Sequence, residues 1–193
     1  MRDGGTGTPP VRAHAGGGQT GPVVGHTVIQ VPVPVLDAVA PRLAPVCPHI
    51  TVLGPFVDRA DVDDDLVRTL RTVLEPVPAF DFRLSAVGRF PGGLTYLAPD
   101  PAGPFLRLTE LLGAAFPQWP PYGGAFDDVV PHLSVGAALA GDEVDALHEL
   151  LPIRATADEV TLTWWSQDGA DVLVRFPLRG RRRAGSRPGG GTP

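Results

Sequence analysis

Two short segments of the chain carry a histidine followed two residues later by a hydroxyl side chain. One reads Pro-His-Ile-Thr-Val at residues 48–52, and the other reads Pro-His-Leu-Ser-Val at residues 131–135. Both segments are apolar and contain β-branched residues, which predicts strands. Because side chains alternate across a strand, each histidine shares a face with the hydroxyl that follows it, while the apolar residues point to the other face. The candidate site residues are His49, Thr51, His132 and Ser134.

Two imidazoles and two hydroxyl groups facing one another would suit displacement at phosphorus without a metal. One imidazole removes a proton from the attacking oxygen, and the other protonates the leaving oxygen. The hydroxyl groups hold the non-bridging oxygens, where negative charge grows. Histidine fits this chemistry because its ordinary pKa of about 6.5 allows both protonation states near neutral pH. The pattern therefore predicts a phosphoesterase site in which His49 and His132 transfer protons.

Other interpretations of the same residues compete with this one. The two histidines could be structural strand residues held by hydrogen bonds. Cys47, the single cysteine of the chain, could pair its thiol with His49, but Pro48 lies between them and no third, orienting residue is evident. A zinc site would need a third ligand, which the spacing does not supply, so we expect no metal at these histidines.

The elements that position the two segments follow from the periodicity of the apolar residues. Residues 27–35 are extended but contain two prolines, which predicts an edge strand. Helices are predicted from an Asp61 N-cap to Pro76, from Pro104 onward, and around residues 144–151. Further strands are predicted at 80–86, 94–97, 160–164 and 172–178.

The order of these elements repeats. Each histidine segment is followed by a glycine, an acidic stretch, an amphipathic helix that ends at a proline, and a strand, first over residues 48–84 and again over residues 131–164. Two copies of one unit normally pack about a pseudo-twofold axis, so equivalent residues would face each other across the junction. The repeat predicts an α+β fold of two similar lobes.

The paired motifs resemble the duplicated His-x-Thr/Ser-hydrophobic signature of the two-histidine (2H) phosphoesterases, in particular the bacterial 2′-5′ RNA ligase-like proteins. The resemblance covers residues 26–178 and implies a bilobal, internally duplicated α+β fold with two antiparallel sheets flanked by helices around a central cleft. It implies His49 and His132 as acid and base, with Thr51 and Ser134 as phosphate ligands. It further implies substrates with a 2′,3′-cyclic, 1″,2″-cyclic or 2′-5′-linked phosphate, and no metal or nucleotide cofactor.

Composition divides the chain into a body and two tails. Residues 1–25 and 179–193 are rich in glycine and proline, which predicts disordered tails around a domain at residues 26–178. Residues 25–178 carry nine arginines against twenty acidic residues, a formal charge of −11. We therefore expect no long nucleic acid on this surface. The chain has no lysine, which excludes lysine Schiff bases, phosphate-loop lysines and covalent lysyl-nucleotides.

The beginning of the chain reads as polar, without a secretory signal, and no apolar run reaches the length of a membrane span. We expect a cytoplasmic protein that acts as a monomer, with a small nucleotide or an RNA end as its partner and no membrane contact.

Two functional hypotheses follow. The first is a metal-independent phosphodiesterase that acts through the two histidines, and the second is a catalytically inactive module that binds a nucleotide or RNA end in the same cleft. Core packing is the favoured interpretation of several aromatic residues that are also candidates for base stacking, with Tyr122 in its glycine-rich loop the best of them: Phe56, Phe90, Tyr122 and Trp165. Candidates for phosphate contact, because they lie on or near predicted strands, are Arg83, Arg89, Arg154 and Arg175.

Overall fold

The computed structural model describes residues 25–125 and 128–180. Apart from residues 25, 179 and 180, the tails predicted at residues 1–25 and 179–193 lie outside the described residues. Arg179 still takes part in the body, because its main-chain N–H donates to the Val77 carbonyl at 2.7 Å and its carbonyl accepts from Ala79 at 2.8 Å.

The described chain alternates strands and helices in an α+β arrangement, as the sequence predicts. The strands are β1 (His26–Pro32), β2 (His49–Leu53), β3 (Phe80–Arg89), β4 (Leu94–Asp100), β5 (Leu133–Ala137), β6 (Ile153–Ala157), β7 (Glu159–Ser166) and β8 (Gly169–Pro177). The helices are α1 (Val35–Val39), α2 (Asp64–Leu74), α3 (Gly103–Ala115) and α4 (Gly141–Leu150), with 3₁₀ segments at Arg59–Asp61 and Pro121–Gly124.

The strands of the described residues form one antiparallel sheet of eight, in the order β6-β3-β4-β5-β2-β1-β7-β8. The expectation of two sheets is therefore corrected. The reason is the antiparallel pairing of β2 with β5 through Ile50 and Leu133, which joins the two halves at the centre of the sheet. Three strands lie beyond each of these central strands. The two lobes and their internal duplication stay predictions.

The helices and the apolar sides of the central strands form the core. Ile50 of β2 and Leu133 of β5 are fully buried, and so are Leu112 of α3 and Leu147 of α4. The buried Thr109 of α3 donates its hydroxyl to the carbonyl of Val52 at 3.0 Å, which ties that helix to β2. Because side chains alternate along a strand, the residues between these apolar positions point away from the core. We call this second side of the sheet the site face.

Several boundaries differ from the sequence prediction. Helix α2 is capped by Asp63, whose carboxylate accepts from the N–H of Leu66 at 2.8 Å, rather than by Asp61, which closes a separate 3₁₀ segment. The first strand ends at Pro32 rather than at residue 35, and Val35–Val39 form the short helix α1. The edge strand β6 is absent from the prediction because its five residues carry little alternation, and pairing with β3 defines it.

None of the helices in the described ranges combines the length and the apolar character that crossing a membrane requires.

Candidate active site

The two histidine segments meet at the centre of the sheet, where His49 is the first residue of β2 and His132 immediately precedes β5. Continuing the antiparallel register by one residue on either side of the Ile50–Leu133 pair sets His49 opposite Ser134 and Thr51 opposite His132. All four side chains are half-buried and lie on the site face. The two histidines are diagonal neighbours, which in antiparallel pairs lie about 7–8 Å apart.

Each imidazole is held by a main-chain carbonyl two residues earlier in the chain. Nδ1 of His49 lies 2.8 Å from the Cys47 oxygen, and Nδ1 of His132 lies 2.7 Å from the Val130 oxygen. A carbonyl oxygen can only accept, so Nδ1 of each ring carries the proton and donates it. Nε2 of each ring is therefore left to exchange protons with a ligand. The repeat of this contact in both segments is a property of the fold that the sequence does not reveal.

The two hydroxyl groups are available to a ligand. Neither Thr51 nor Ser134 hydrogen-bonds through its side chain to another group within residues 25–125 and 128–180. Their register neighbours on the outer strands are Gln30 of β1 and Tyr96 of β4. The hydroxyls of the central strands are thus flanked by one further polar or aromatic side chain on each side.

The surroundings of His49 combine an aromatic ring with buried polar groups. The Trp165 ring lies 5.0 Å from the His49 ring, centroid to centroid, and the indole N–H donates to Oε1 of Gln30 at 3.0 Å. Gln30 is 2% exposed, so this bond fixes the orientation of a buried amide. Beyond it, the buried hydroxyls of Thr161 and Thr163 lie 3.0 Å apart.

The surroundings of His132 are aromatic. Phe90 and Tyr96 stack at 4.3 Å and both meet the His132 ring edge-on, at 4.9 and 5.6 Å. The Tyr122 ring is almost parallel to the imidazole at 6.4 Å. Gly88 of β3 lies beneath Tyr96, and a Cβ at this position would overlap the phenol ring. The glycine thus makes room for one of the rings beside the histidine.

A pocket of about 610 Å³ opens beside His132. Its lining is largely apolar and consists of Phe90, Pro91, Gly92, Leu94, Tyr122, Asp128, Val130 and His132. Such a volume is within the range of about 300–1,000 Å³ that is usual for small-molecule sites.

Burial affects the acid–base properties of two groups in the site. Burial is the largest cause of the pKa shift of the His49 imidazole, and it lowers this pKa below the ordinary value of 6.5. The hydrogen bond to the Cys47 carbonyl opposes the shift, and the charge of His132 nearby adds to it. Burial also raises the pKa of the Tyr122 phenol from its ordinary 10.0, so this group stays protonated at neutral pH.

The chain matches a known protein family. The family model described as 2′-5′ RNA ligase superfamily matches residues 37–169, more than half of the chain. The chain belongs to the 2′-5′ RNA ligase superfamily. This confirms the resemblance to the two-histidine phosphoesterases that the paired motifs suggested. No curated protein sequence matches the chain significantly.

Several solved structures share the fold of this chain. TT0787 of Thermus thermophilus superposes with a TM-score of 0.58 at 21% identity, over 81% of this chain and 99% of that one. E. coli LigT complexed with NADP+ gives a TM-score of 0.54 at 16% identity, over 80% and 97% of the two chains. E. coli LigT complexed with 3′-AMP gives 0.51 at 16% identity, over 81% and 99%.

Some of the aromatic residues proposed from the sequence lie beside the two histidines. Phe90 and Tyr122 line the pocket, and Trp165 packs on His49. Phe56 instead packs edge-on against Phe116 and Trp119 in the core. Cys47 is exposed and meets His49 through its main-chain carbonyl.

Three of the candidate arginines make contacts elsewhere in this superfamily member. Arg83 pairs with Asp100 at 2.5 Å, and Arg175 pairs with Glu159. Arg89 donates to the Thr95 hydroxyl at 3.4 Å and to the Leu139 carbonyl at 3.3 Å. The remaining candidate, Arg154, lies opposite Arg83 in the β3–β6 pair.

Sequence reasoning missed Gln30 and Tyr96, which flank the hydroxyls of the central strands. The alternation of side chains along a strand could have identified them, because each residue points to the site face of its own strand. This requires the register of β1 with β2 and of β4 with β5. Across the described parts of the chain, no three His, Cys, Asp or Glu side chains are grouped so as to hold a metal ion.

Proposed function

We propose that the protein is a metal-independent phosphodiesterase that opens 2′,3′- or 1″,2″-cyclic phosphates, or cleaves 2′-5′ phosphodiester linkages, of nucleotides or RNA ends. The observation that carries this proposal is the matched pair of contacts from Nδ1 of His49 and His132 to main-chain carbonyls. Both contacts leave Nε2 for proton transfer. A module that only binds nucleotides would not need two imidazoles oriented in the same way.

The lowered pKa of His49 supports this residue as the general base. In its neutral form, with the proton on Nδ1, the ring has a lone pair on Nε2 that can take a proton from an attacking water. The water oxygen then forms a bond to phosphorus. His132 in its imidazolium form donates the Nε2 proton to the ribose oxygen whose bond to phosphorus breaks. The carbonyl of Val130 accommodates His132 in both states, because Nδ1 is a donor in each.

Thr51 and Ser134 are proposed to bind the non-bridging phosphate oxygens. Their hydroxyls have no partner within the described chain and lie on the same face as the histidines. Neutral donors of this kind stabilise the charge that grows on phosphate oxygens in the transition state. The site supplies this stabilisation without lysine, which the chain lacks.

A small nucleotide is the substrate size that the site favours. The pocket beside His132 has room for a base and presents aromatic rings, and stacking on such rings is a usual way of holding a single base. The related fold of E. coli LigT has been seen with NADP+ and with 3′-AMP. Monomeric state and cytoplasmic location stay predictions.

The test is hydrolysis of a panel of nucleoside 2′,3′-cyclic phosphates, ADP-ribose 1″,2″-cyclic phosphate and 2′-5′ dinucleotides in excess chelator. We expect turnover by the wild type and a loss of about 10²- to 10⁴-fold in His49→Ala and in His132→Ala. His148→Ala on helix α4 is the matched control, because its imidazole is exposed and lies outside the site. Absence of turnover on every member by a folded wild type would favour the inactive binding module instead.

A further inference from the structure

One acidic side chain, the exposed Asp128, lies on the lining of the pocket beside His132. Among the described residues that line it, Asp128 is the only acid, and its neighbours are aromatic, aliphatic or glycine apart from His132. A carboxylate repels a phosphate and can only accept hydrogen bonds. A nucleotide bound in this pocket would therefore match Asp128 with an uncharged part that donates hydrogen bonds, rather than with its phosphate.

The bases of nucleotides differ in the donors that they offer to a carboxylate. Guanine presents the adjacent donors N1–H and N2–H₂ on its Watson–Crick edge, which match the two oxygens of a carboxylate. Adenine and cytosine each present one amino group beside an acceptor nitrogen, and uracil presents one N–H between two carbonyls. These acceptors would face the second carboxylate oxygen and be repelled. Only guanine uses both oxygens of Asp128.

The rest of the pocket suits a purine. Phe90 and Tyr122 offer aromatic faces, and Leu94 and Val130 complete an apolar lining. A ring held against these side chains would be next to His132, where the proposed phosphate position begins. We infer that Asp128 reads the Watson–Crick edge of guanine and makes the enzyme selective for guanosine nucleotides. This inference rests on the proposed function for the placement of the phosphate between the two histidines.

The test measures binding separately from turnover. The Kd values of guanosine, inosine and adenosine 3′-phosphates are measured by calorimetric titration of the wild type, Asp128→Asn and Asp64→Asn. Inosine keeps N1–H and lacks only the amino group at C2. Because hydrogen bonds to a charged group are strong, we expect guanosine 3′-phosphate to bind about 10- to 100-fold more tightly than the inosine compound. Asp64→Asn on helix α2 is the control for loss of one exposed carboxylate.

The variant distinguishes base reading from a structural role. Asp128→Asn should weaken the binding of guanosine 3′-phosphate by about 10- to 100-fold, because the amide replaces one acceptor with a donor. The Kd of guanosine 3′-phosphate should then be close to that of the inosine compound. The affinity of the variant for the adenosine compound should rise, since an amide can match the amino donor and N1 acceptor of adenine. Equal loss for all three nucleotides would overturn the inference and indicate a structural role.

The two proposals can fail separately. Wild-type Kd values that do not differ between bases would overturn guanine selectivity, whatever the enzyme hydrolyses. Guanine-selective binding without turnover of any cyclic or 2′-5′ substrate would overturn the proposed phosphodiesterase function and leave the role of Asp128 supported. Cyclic phosphate hydrolysis with guanosine 2′,3′-cyclic phosphate as the substrate of highest kcat/KM would support both.

Discussion

Thr51→Val tests whether the Thr51 hydroxyl contributes to catalysis rather than to the stability of the fold. Valine has nearly the same shape as threonine and keeps a β-branched side chain in the strand β2. In the native protein the Thr51 hydroxyl has no hydrogen-bond partner in the described chain. The substitution therefore removes no side-chain hydrogen bond within residues 25–125 and 128–180, and a change in rate without a change in stability reports on the substrate.

The expected effect follows from the proposed contact with a non-bridging phosphate oxygen. Removing one donor that stabilises developing negative charge costs about 10²- to 10³-fold in kcat, equal to about 2.7–4 kcal/mol. Because the donor is needed most in the transition state, kcat should fall more than KM rises. The free energy of unfolding should change by less than about 1 kcal/mol, since no hydrogen bond within the described chain is lost and a methyl group replaces the hydroxyl.

The assay compares kcat and KM of the wild type and Thr51→Val on the best cyclic substrate, together with urea unfolding of both proteins. Thr156→Val on the outermost strand is the matched control, because its hydroxyl bonds to Asp81 at 2.6 Å far from the histidines. It should lose stability and keep its rate. A loss of less than about threefold in kcat for Thr51→Val, in a folded protein, would refute the role of this hydroxyl.

Two further predictions concern the histidines and the aromatic wall. If neutral His49 is the base, kcat/KM should fall as the pH decreases through the lowered pKa of this ring. The acidic midpoint of the pH–rate profile should therefore lie below 6.5. A midpoint above 6.5 would show that another group is the base. Gly88→Ala should cost about 1–3 kcal/mol of stability and lower kcat/KM, because the new Cβ displaces Tyr96 and with it the stack beside His132. Thermal melts and kinetics check this against Gly113→Ala on helix α3, where a Cβ meets nothing within 4 Å and stability should be maintained or increased.

The sequence predicts strands and helices well where the apolar residues recur with a single clear periodicity. The strands around His49 and His132 lie within a residue or two of their predicted positions, because alternating apolar residues mark them. The single sheet could not be predicted, since it depends on one pairing between Ile50 and Leu133, residues that are distant in the chain. Gln30 and Tyr96 were missed for the same reason, because their place beside the central hydroxyls depends on register.

The two motifs are nearly identical in sequence, so the motifs alone cannot determine which histidine is the acid and which is the base. Their hydrogen bonds to the main chain do not distinguish them either, because both rings donate from Nδ1 to a carbonyl. The difference lies in the neighbours. His49 packs against Trp165, whose orientation is fixed by the buried amide of Gln30, while His132 borders an open aromatic pocket. Burial disfavours the charged form of the His49 imidazole, which lies beside Trp165. The proposed mechanism therefore uses His49 in its neutral form, as the base. In the proposed mechanism, the division of roles between the two motifs therefore depends on the residues around each histidine, and reversing it would require exchanging those surroundings rather than the histidines.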